Sequence, residues 1–241
     1  MYNLMVEAYD EIFPITEKRK KFLNRLIENN TKVLDVGCST GKDSNYLANK
    51  KNCTVRALDF DSDMIKFAKS HVKNVDFKTM NMMNIGIEYK DINFNYIICL
   101  GNTIVHLKEE ELKEFLLQIR EKLILNGKFI IQFLNYDKIK NKMIKELPII
   151  NTTNYIFKRK YEFLDDGSIK FITSLERKQT NDTNDINDNE LGNVLLYPIY
   201  TNKINEISTS LGFSIQHYGD FDFTEFDMEN SYFHIVTLTK I

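Results

Sequence analysis

The chain has few cysteines, no long apolar run and almost no net charge, and each shortage closes off a class of function. Cys38, Cys53 and Cys99 are its three cysteines, far apart and without paired spacing. That pattern excludes a disulfide framework and a cysteine zinc site, and it points to a reducing compartment. No metal is expected. A net charge of -2 gives neither nucleic acid nor an anionic membrane a field to bind. The longest apolar stretches, such as Phe129 to Leu134, fall well short of the roughly 20 residues a membrane-spanning helix needs. No secretory leader pattern opens the sequence, so a soluble cytoplasmic protein is expected. No internal repeat is visible. The 241 residues allow one domain with a sizeable core and room for an inserted subdomain.

What is present centres on one stretch. The short apolar run from Lys32 ends in Asp35-Val36-Gly37-Cys38-Ser39-Thr40-Gly41, and Lys42 to Lys50 follows with helical spacing, so the expectation is strand, tight turn, helix. Gly37 would let the turn approach a ligand closely, and Gly41 would let the helix start close against the strand. Three chemistries use such a turn. A dinucleotide loop wants Gly-x-Gly-x-x-Gly to present N–H groups to a pyrophosphate, but here Ser39 separates the two glycines and no third follows. A nucleophile elbow wants Gly-x-Ser-x-Gly, which Gly37 to Gly41 matches with Ser39 as nucleophile. His217 or His234 would serve as the base by chain order, yet no glycine-rich oxyanion loop lies upstream and the elbow leaves Asp35 and Asp59 unused. In the third, a loop for S-adenosylmethionine (SAM), an acidic residue precedes the first glycine, and carbonyls and a carboxylate suit a ligand carrying an ammonium and a sulfonium.

The rest of the chain reads as alternating strands and helices. Tyr2, Tyr9, Phe13 and Pro14 form an aromatic segment without clear period. Thr16 to Asn29 reads as a helix with Phe22, Leu23, Leu26 and Ile27 on one face and Lys18 to Lys21 turned outward. Val55 to Leu58 is a second apolar run that stops at Asp59. An acidic residue there, about twenty positions past a glycine loop, is where a ribose would present its hydroxyls to a carboxylate; the other reading is a plain strand end. Asp61 is a plausible cap for the helix that follows. Val75 to Thr79 reads as the third strand and leads to Asn81-Met82, an amide and a thioether that suit an adenine, though Met82 reads equally as core. Tyr96 to Leu100 is the fourth strand; Glu109 to Leu123 is an amphipathic helix that Asn126-Gly127 would cap; Phe129 to Leu134 is the fifth strand.

Beyond Asn135-Tyr136-Asp137 the pattern changes. Tyr155 to Leu164 and Ile169 to Arg177, joined by Asp165-Asp166-Gly167-Ser168, read as a hairpin. Gln179 to Asn193 is nearly all Asn, Asp and Thr and is expected as a mobile loop, with an antiparallel strand at Leu195 to Tyr200. Thr201 to Leu211 reads as a helix, and Phe213 to Tyr218 and Tyr232 to Leu238 as closing strands. The fold class is therefore α/β, with ligands gathering at the carboxyl ends of the strands.

With Asp35 to Gly41, Asp59, Asn81-Met82 and Asn126-Gly127 in this order, the chain resembles the class I SAM-dependent methyltransferases over essentially its whole length. The resemblance implies a Rossmann-like, seven-stranded, mostly parallel sheet with helices on both faces and a small antiparallel β insertion over the active-site edge. The implied organisation is a lid and helix at 1–30, a SAM-binding core at 31–136 and 195–241, and a substrate cap at 137–194. Two positions depart from the common pattern: Ser39 replaces a glycine, and Asn81 replaces an acidic residue. Gly101 to Leu107 and Asn135 to Ile139 look like the small-molecule branch that includes glycine N-methyltransferase. There an arginine precedes the Asn-Tyr-Asp, where it holds the glycine carboxylate; this chain has Leu134, which argues against glycine because an aliphatic side chain cannot replace a bidentate guanidinium.

The implied site follows. Asp35, Gly37, Cys38 and Gly41 would take the methionine end of SAM, and Asp59 and Phe60 the ribose. Met64, Asn81 and Met82 would take the adenine. Leu100, Gly101 and Asn102 would line the cleft near the sulfonium, with Tyr9 and Tyr2 as a lid. His106 is the candidate for acid-base work on the acceptor, or else a helix cap, and Tyr136 and Tyr197 would face the acceptor. The expected reaction moves a methyl group to a nitrogen or oxygen of a small-molecule acceptor, leaving S-adenosylhomocysteine. The alternatives are a non-catalytic SAM-binding regulator and the Ser39 hydrolase.

Overall fold

The computed structural model describes residues 3–178 and 189–241. β1 (Lys32–Val36) is flanked on one side by β2 (Thr54–Asp59) and β3 (Val75–Thr79) and on the other by β4 (Phe94–Cys99) and β5 (Leu123–Leu134), all parallel. β11 (Phe233–Lys240) inserts antiparallel beside β5, and β10 (Phe213–Tyr218) closes that edge. The order β10-β11-β5-β4-β1-β2-β3 reverses direction between β1 and β4, the switch point where such sheets open a crevice at their carboxyl ends.

Alternation along each strand covers both faces. Leu34 and Val36 of β1 join the cluster built on α6 (Glu109–Lys122) and α8 (Thr201–Ser210), with Phe115, Leu116, Ile204 and Phe129. Val33 points the other way, into the cluster that α2 (Glu17–Leu26) and α3 (Lys42–Lys50) supply through Phe22, Leu23 and Leu47. α4 (Ser62–His71) packs Ile65 and Ala68 on Ala57 and Phe77 of the same face. Asp61 caps α4 by accepting from the Asp63 and Met64 N–H groups, as its position suggested. The short α5 (Ile85–Glu88) completes the α6 side.

A second, antiparallel sheet of β6 (Ile150–Asn151), β7 (Tyr155–Phe163), β8 (Ile169–Arg177) and β9 (Asn189–Leu196) follows α7 (Tyr136–Asn141). The aromatic N-terminal segment, for which the sequence shows no period, is α1 (Leu4–Ile12), capped by Asn3. Its Ala8 and Ile12 pack with Tyr155, Phe157 and Leu175 of the second sheet, and Glu7 pairs with Arg177 at 2.5 Å. The seven-stranded sheet, the helices on both faces and the antiparallel insertion agree with expectation.

Several details differ. Residues 179–188 of the expected mobile loop lie outside the described residues, but 189–193 belong to β9, which ends at Leu196, short of the strand expected to Tyr200. Its pairing with β8 from Glu176↔Asn189 to Ile169↔Leu196 supplies the order that its polar composition alone did not suggest. α2 stops at Leu26, because Ile27 turns extended and buries its side chain in the α2–α3 core. Asn126-Gly127 does not cap α6. The helix ends at Lys122, and Asn126, with φ 63°, sits in a bulge where β5 skips from Leu123, opposite Phe94, to Lys128, opposite Tyr96.

Gly41 makes the sheet's packing testable. Its φ is 79°, and a Cβ there would stand 2.6 Å from Phe77 Cζ on β3. Gly41→Ala is expected to cost roughly 1–3 kcal/mol in denaturant unfolding, whereas an unchanged midpoint would mean that the α3 start is not constrained by β3.

Candidate active site

The turn after β1 is fastened to the end of β2. Gly37 N–H and Cys38 N–H both donate to the Leu58 carbonyl, at 2.8 and 3.0 Å, and Ser39 N–H donates to Asp59 Oδ2 at 2.8 Å. The other Asp59 oxygen accepts from Asp61 N–H at 2.9 Å. Gly37 has φ 73°, and a Cβ on it would collide with Thr103 at 2.4 Å, so only glycine lets the turn meet the segment after β4. Each Asp59 oxygen keeps a second lone pair for a ligand hydroxyl.

Asp35 is 3% exposed and accepts from Ser44 Oγ of α3 at 2.6 Å. Burial, with the Asp43 and Asp59 charges nearby, pushes its carboxyl up to about 7. Burial raises Asp43 and Asp59 as well. The Cys38 thiol is buried and held well above its ordinary range, first by that burial and then by the charge of Asp35.

A cavity of about 930 Å³ opens beside the turn, between the sheet edge, α1 and the second sheet. Gly37, Cys38, Leu100, Gly101 and Asn102 line it, as do Tyr9 and His106. Asp35, Gly41, Asp59, Phe60, Met64, Asn81 and Met82 do not; Asp59 and Phe60 stand at the end of β2, Met64 in the first turn of α4, and Asn81 and Met82 just past β3. Phe60 is 79% exposed. Met64 is buried, Met82 is half-buried against the α6-side core, and the Asn81 oxygen is engaged in capping Met83 N–H at 2.9 Å. Gly41 caps α3. The Tyr9 hydroxyl accepts from Ser39 Oγ at 2.8 Å, and Thr40 Oγ1 donates to Asp10 at 2.5 Å. α1 therefore rests directly on the turn. Tyr2 lies outside the described residues.

Two expectations need correction. Tyr136 is 1% exposed and does not line the cavity. Its hydroxyl accepts from Asn102 Nδ2 at 3.0 Å, while Asn102 Oδ1 accepts from Leu134 N–H, so Tyr136 and Asn102 brace β4 against β5. Burial raises the Tyr136 phenol to about 12, which keeps it neutral. Tyr197 is half-buried and also off the lining; Tyr161 and Tyr232 line the chamber instead. The hydrolase arrangement is not formed either. Ser39 bonds to a tyrosine, and His217 and His234 face each other at 2.8 Å on β10 and β11.

His106 ends the 3-10 turn Thr103–His106 and lines the cavity. Burial lowers its pKa, favouring the neutral imidazole. Arg19 is the residue that sequence reasoning missed. It belongs to the basic run assigned to solvent, yet it is largely buried, lines the cavity and pairs with Asp43. Its spacing from Phe22, Leu23 and Leu26 puts it on the buried face, a signal that was available.

Residues 33–127 match the family model described as "Methyltransferase domain". The match spans the β1 turn and the sheet from β1 into β5. Over 73 residues it is 45% identical to the putative methyltransferase 235L of Invertebrate iridescent virus 6, a match that covers 30% of this chain and 28% of the viral protein. Over 244 residues it is 24% identical to the glycine/sarcosine N-methyltransferase of Aphanothece halophytica, covering 95% of this chain and 86% of that protein. Among solved structures, the CcbJ methyltransferase from Streptomyces caelestis superposes with a TM-score of 0.80 at 16% identity, over 98% of this chain and 96% of that one. The sugar N-methyltransferase KedS8 from Streptoalloteichus sp ATCC 53650 does so with 0.70 at 12% identity, over 100% and 94%. The matched residues thus contain the turn, Asp59 and the Gly101–His106 segment, while Arg19, α1 and the second sheet lie outside them.

Because the folded Asp35 holds its proton to about 7 while an ordinary carboxyl releases it near 3.8, ionisation penalises the folded state progressively as pH rises through that window. Asp35→Asn removes the penalty. The stability of Asp35→Asn relative to wild type, read by urea unfolding without ligand, is expected to increase from pH 5 to pH 7 and level off above; a pH-independent difference would contradict this.

Proposed function

We propose that the protein is a SAM-dependent methyltransferase acting on a nitrogen or oxygen of a small-molecule acceptor other than glycine. The observation that carries the reading is an ion pair left half-used at the cavity wall. Arg19 Nε and Asp43 Oδ1 are both buried without a hydrogen-bond partner among the described residues, one donor and one acceptor, which suits the carboxylate and ammonium of an amino acid. The glycines beside it fit as well, since a Cβ on Gly101 would meet nothing nearer than the Tyr9 hydroxyl at 4.0 Å, leaving open space.

When bound, SAM supplies an electrophilic methyl group whose transfer discharges the sulfonium. In this reading Asp35, Gly37, Cys38 and Gly41, joined by Arg19 and Asp43, hold the methionine end. Asp59 and Phe60 take the ribose, and Met64, Asn81 and Met82 the adenine. Leu100, Gly101 and Asn102 border the transfer point. The chain's main contribution is alignment and exclusion of water: α1 rests on the turn through Tyr9 and Asp10, and residues 137–194 act as a cap over the core formed by 31–136 and 195–241. His106 in its neutral form accepts a proton from the acceptor. A small acceptor is favoured by the chamber's volume of about 930 Å³ and by the glycine/sarcosine and sugar N-methyltransferases among the similar proteins. Leu134, which lines the chamber, leaves no guanidinium beside Asn135 for glycine.

Asp59→Ala should weaken SAM binding at least tenfold in calorimetry, and an unchanged dissociation constant would remove Asp59 from the site. His106→Ala should slow methyl transfer while SAM affinity stays at the wild-type level. Full turnover in that variant would make the histidine structural. Binding without turnover on any acceptor would favour the regulatory alternative.

A further inference from the structure

The second sheet presents its cavity side in rows set by strand register. Arg159 of β7 pairs with Thr173 of β8, which pairs with Gly192 of β9; in the next row stand Tyr161, Phe171 and Val194. All six line the cavity. The first row is polar and the second apolar apart from a phenol. Gly192 keeps the first row open, because a Cβ there would stand 2.7 Å from Thr173 Oγ1.

Arg159 is anchored but unspent. Nη2 donates to the Pro148 carbonyl at 2.9 Å, and the guanidinium carbon lies 5.7 Å from the Phe157 ring centroid. Among the described residues its Nε is buried without a hydrogen-bond partner, and no carboxylate comes within the 4.0 Å of an ion pair. Two positions along the same strand face, Tyr161 stands beside the Tyr136 hydroxyl. A donor left unmade in a chamber wall costs free energy, and a guanidinium held there by one nitrogen, with no carboxylate beside it, points to a ligand that supplies the acceptor atoms. The remaining charges on the lining, Lys18, Arg19, Lys42, Asp43 and Asp220, come from α2, α3 and the segment before β11. Among the described residues, Arg159 is the one charge that the second sheet contributes to the lining.

We infer that the Arg159 row is a carboxylate subsite, and that the methyl acceptor is a small monoanion whose apolar or aromatic body lies along Phe171 and Val194, between a carboxylate on Arg159 and a reacting atom at Gly101–His106. A guanidinium anchored through one nitrogen offers the rest of its planar fork to a carboxylate. A single guanidinium matches one negative charge, and a doubly charged phosphate would leave charge unpaired in a largely apolar chamber. The inference rests on the methyltransferase reading for the reacting end, but the subsite itself is testable without the cofactor.

Calorimetry would titrate wild type, Arg159→Gln and Arg159→Lys with 3-phenylpropionate and 3-phenylpropanamide, and with hexanoate and hexanamide, with and without saturating S-adenosylhomocysteine. Wild type should bind each acid at least tenfold more tightly than its amide. Arg159→Gln should lose that preference, and Arg159→Lys should keep only part of it. The S-adenosylhomocysteine affinity of Arg159→Gln should stay within twofold of wild type, which reports an intact fold. Failure of S-adenosylhomocysteine to bind any of the three would sink the methyltransferase reading alone. Wild type that binds acid and amide alike, or neither, overturns the subsite, as does a preference that survives in Arg159→Gln.

Discussion

The structure turns on how the chain leaves β1. One carbonyl, that of Leu58, takes both the Gly37 and Cys38 N–H groups, and the adjoining Asp59 carboxylate takes that of Ser39. Three consecutive donors are thereby drawn onto the end of the neighbouring strand, and the turn is bound to the sheet. A backbone with φ near +73° at Gly37 is the geometric condition, because any Cβ would strike Thr103. With the turn held, α3 starts against β3, the segment after β4 closes over the turn from the other side, and a crevice opens at the switch between β1 and β4.

What stands around that crevice is electrostatically tense. Asp35, Asp43 and Asp59 crowd a region poor in water, and burial raises all three; Arg19 offsets part of the charge through Asp43. Buried acids of this kind are costly to keep in an empty protein and favourable opposite a cation. α1 adds a mechanical link. Tyr9 and Asp10 touch the turn, and Ala8 and Ile12 sit on the second sheet, so the two sides of the chamber are joined through one short helix.

The elements that alternate in period were legible. β1, β3 and α3 begin and end where the sequence pattern places them, and the Asp61 cap reads directly. Legibility failed where a tertiary contact overrides local composition. β9 looks like a polar loop because its order comes from pairing with β8. Asn126 looks like a helix cap because a left-handed asparagine serves a bulge equally well. Around the chamber, the strand-end residues could be named from spacing, since glycine geometry and strand ends are local properties. Arg19 was legible from its spacing to Phe22, Leu23 and Leu26, whereas Arg159 and Tyr161 were not, because alternation along a strand does not say which face is covered until the opposing surface is known. Tyr136 erred the other way: its motif suggests the acceptor, and packing turns it into a brace behind Asn102.

A crystal structure of the protein grown with S-adenosylhomocysteine tests the central claim most directly. The account predicts electron density for the ligand across the β1 turn, with the ribose hydroxyls on Asp59, the amino-acid end between Asp35 and Arg19, and the sulfur facing Leu100 to Asn102. An empty crevice at millimolar ligand, or a ligand bound elsewhere with Asp59 untouched, would contradict it.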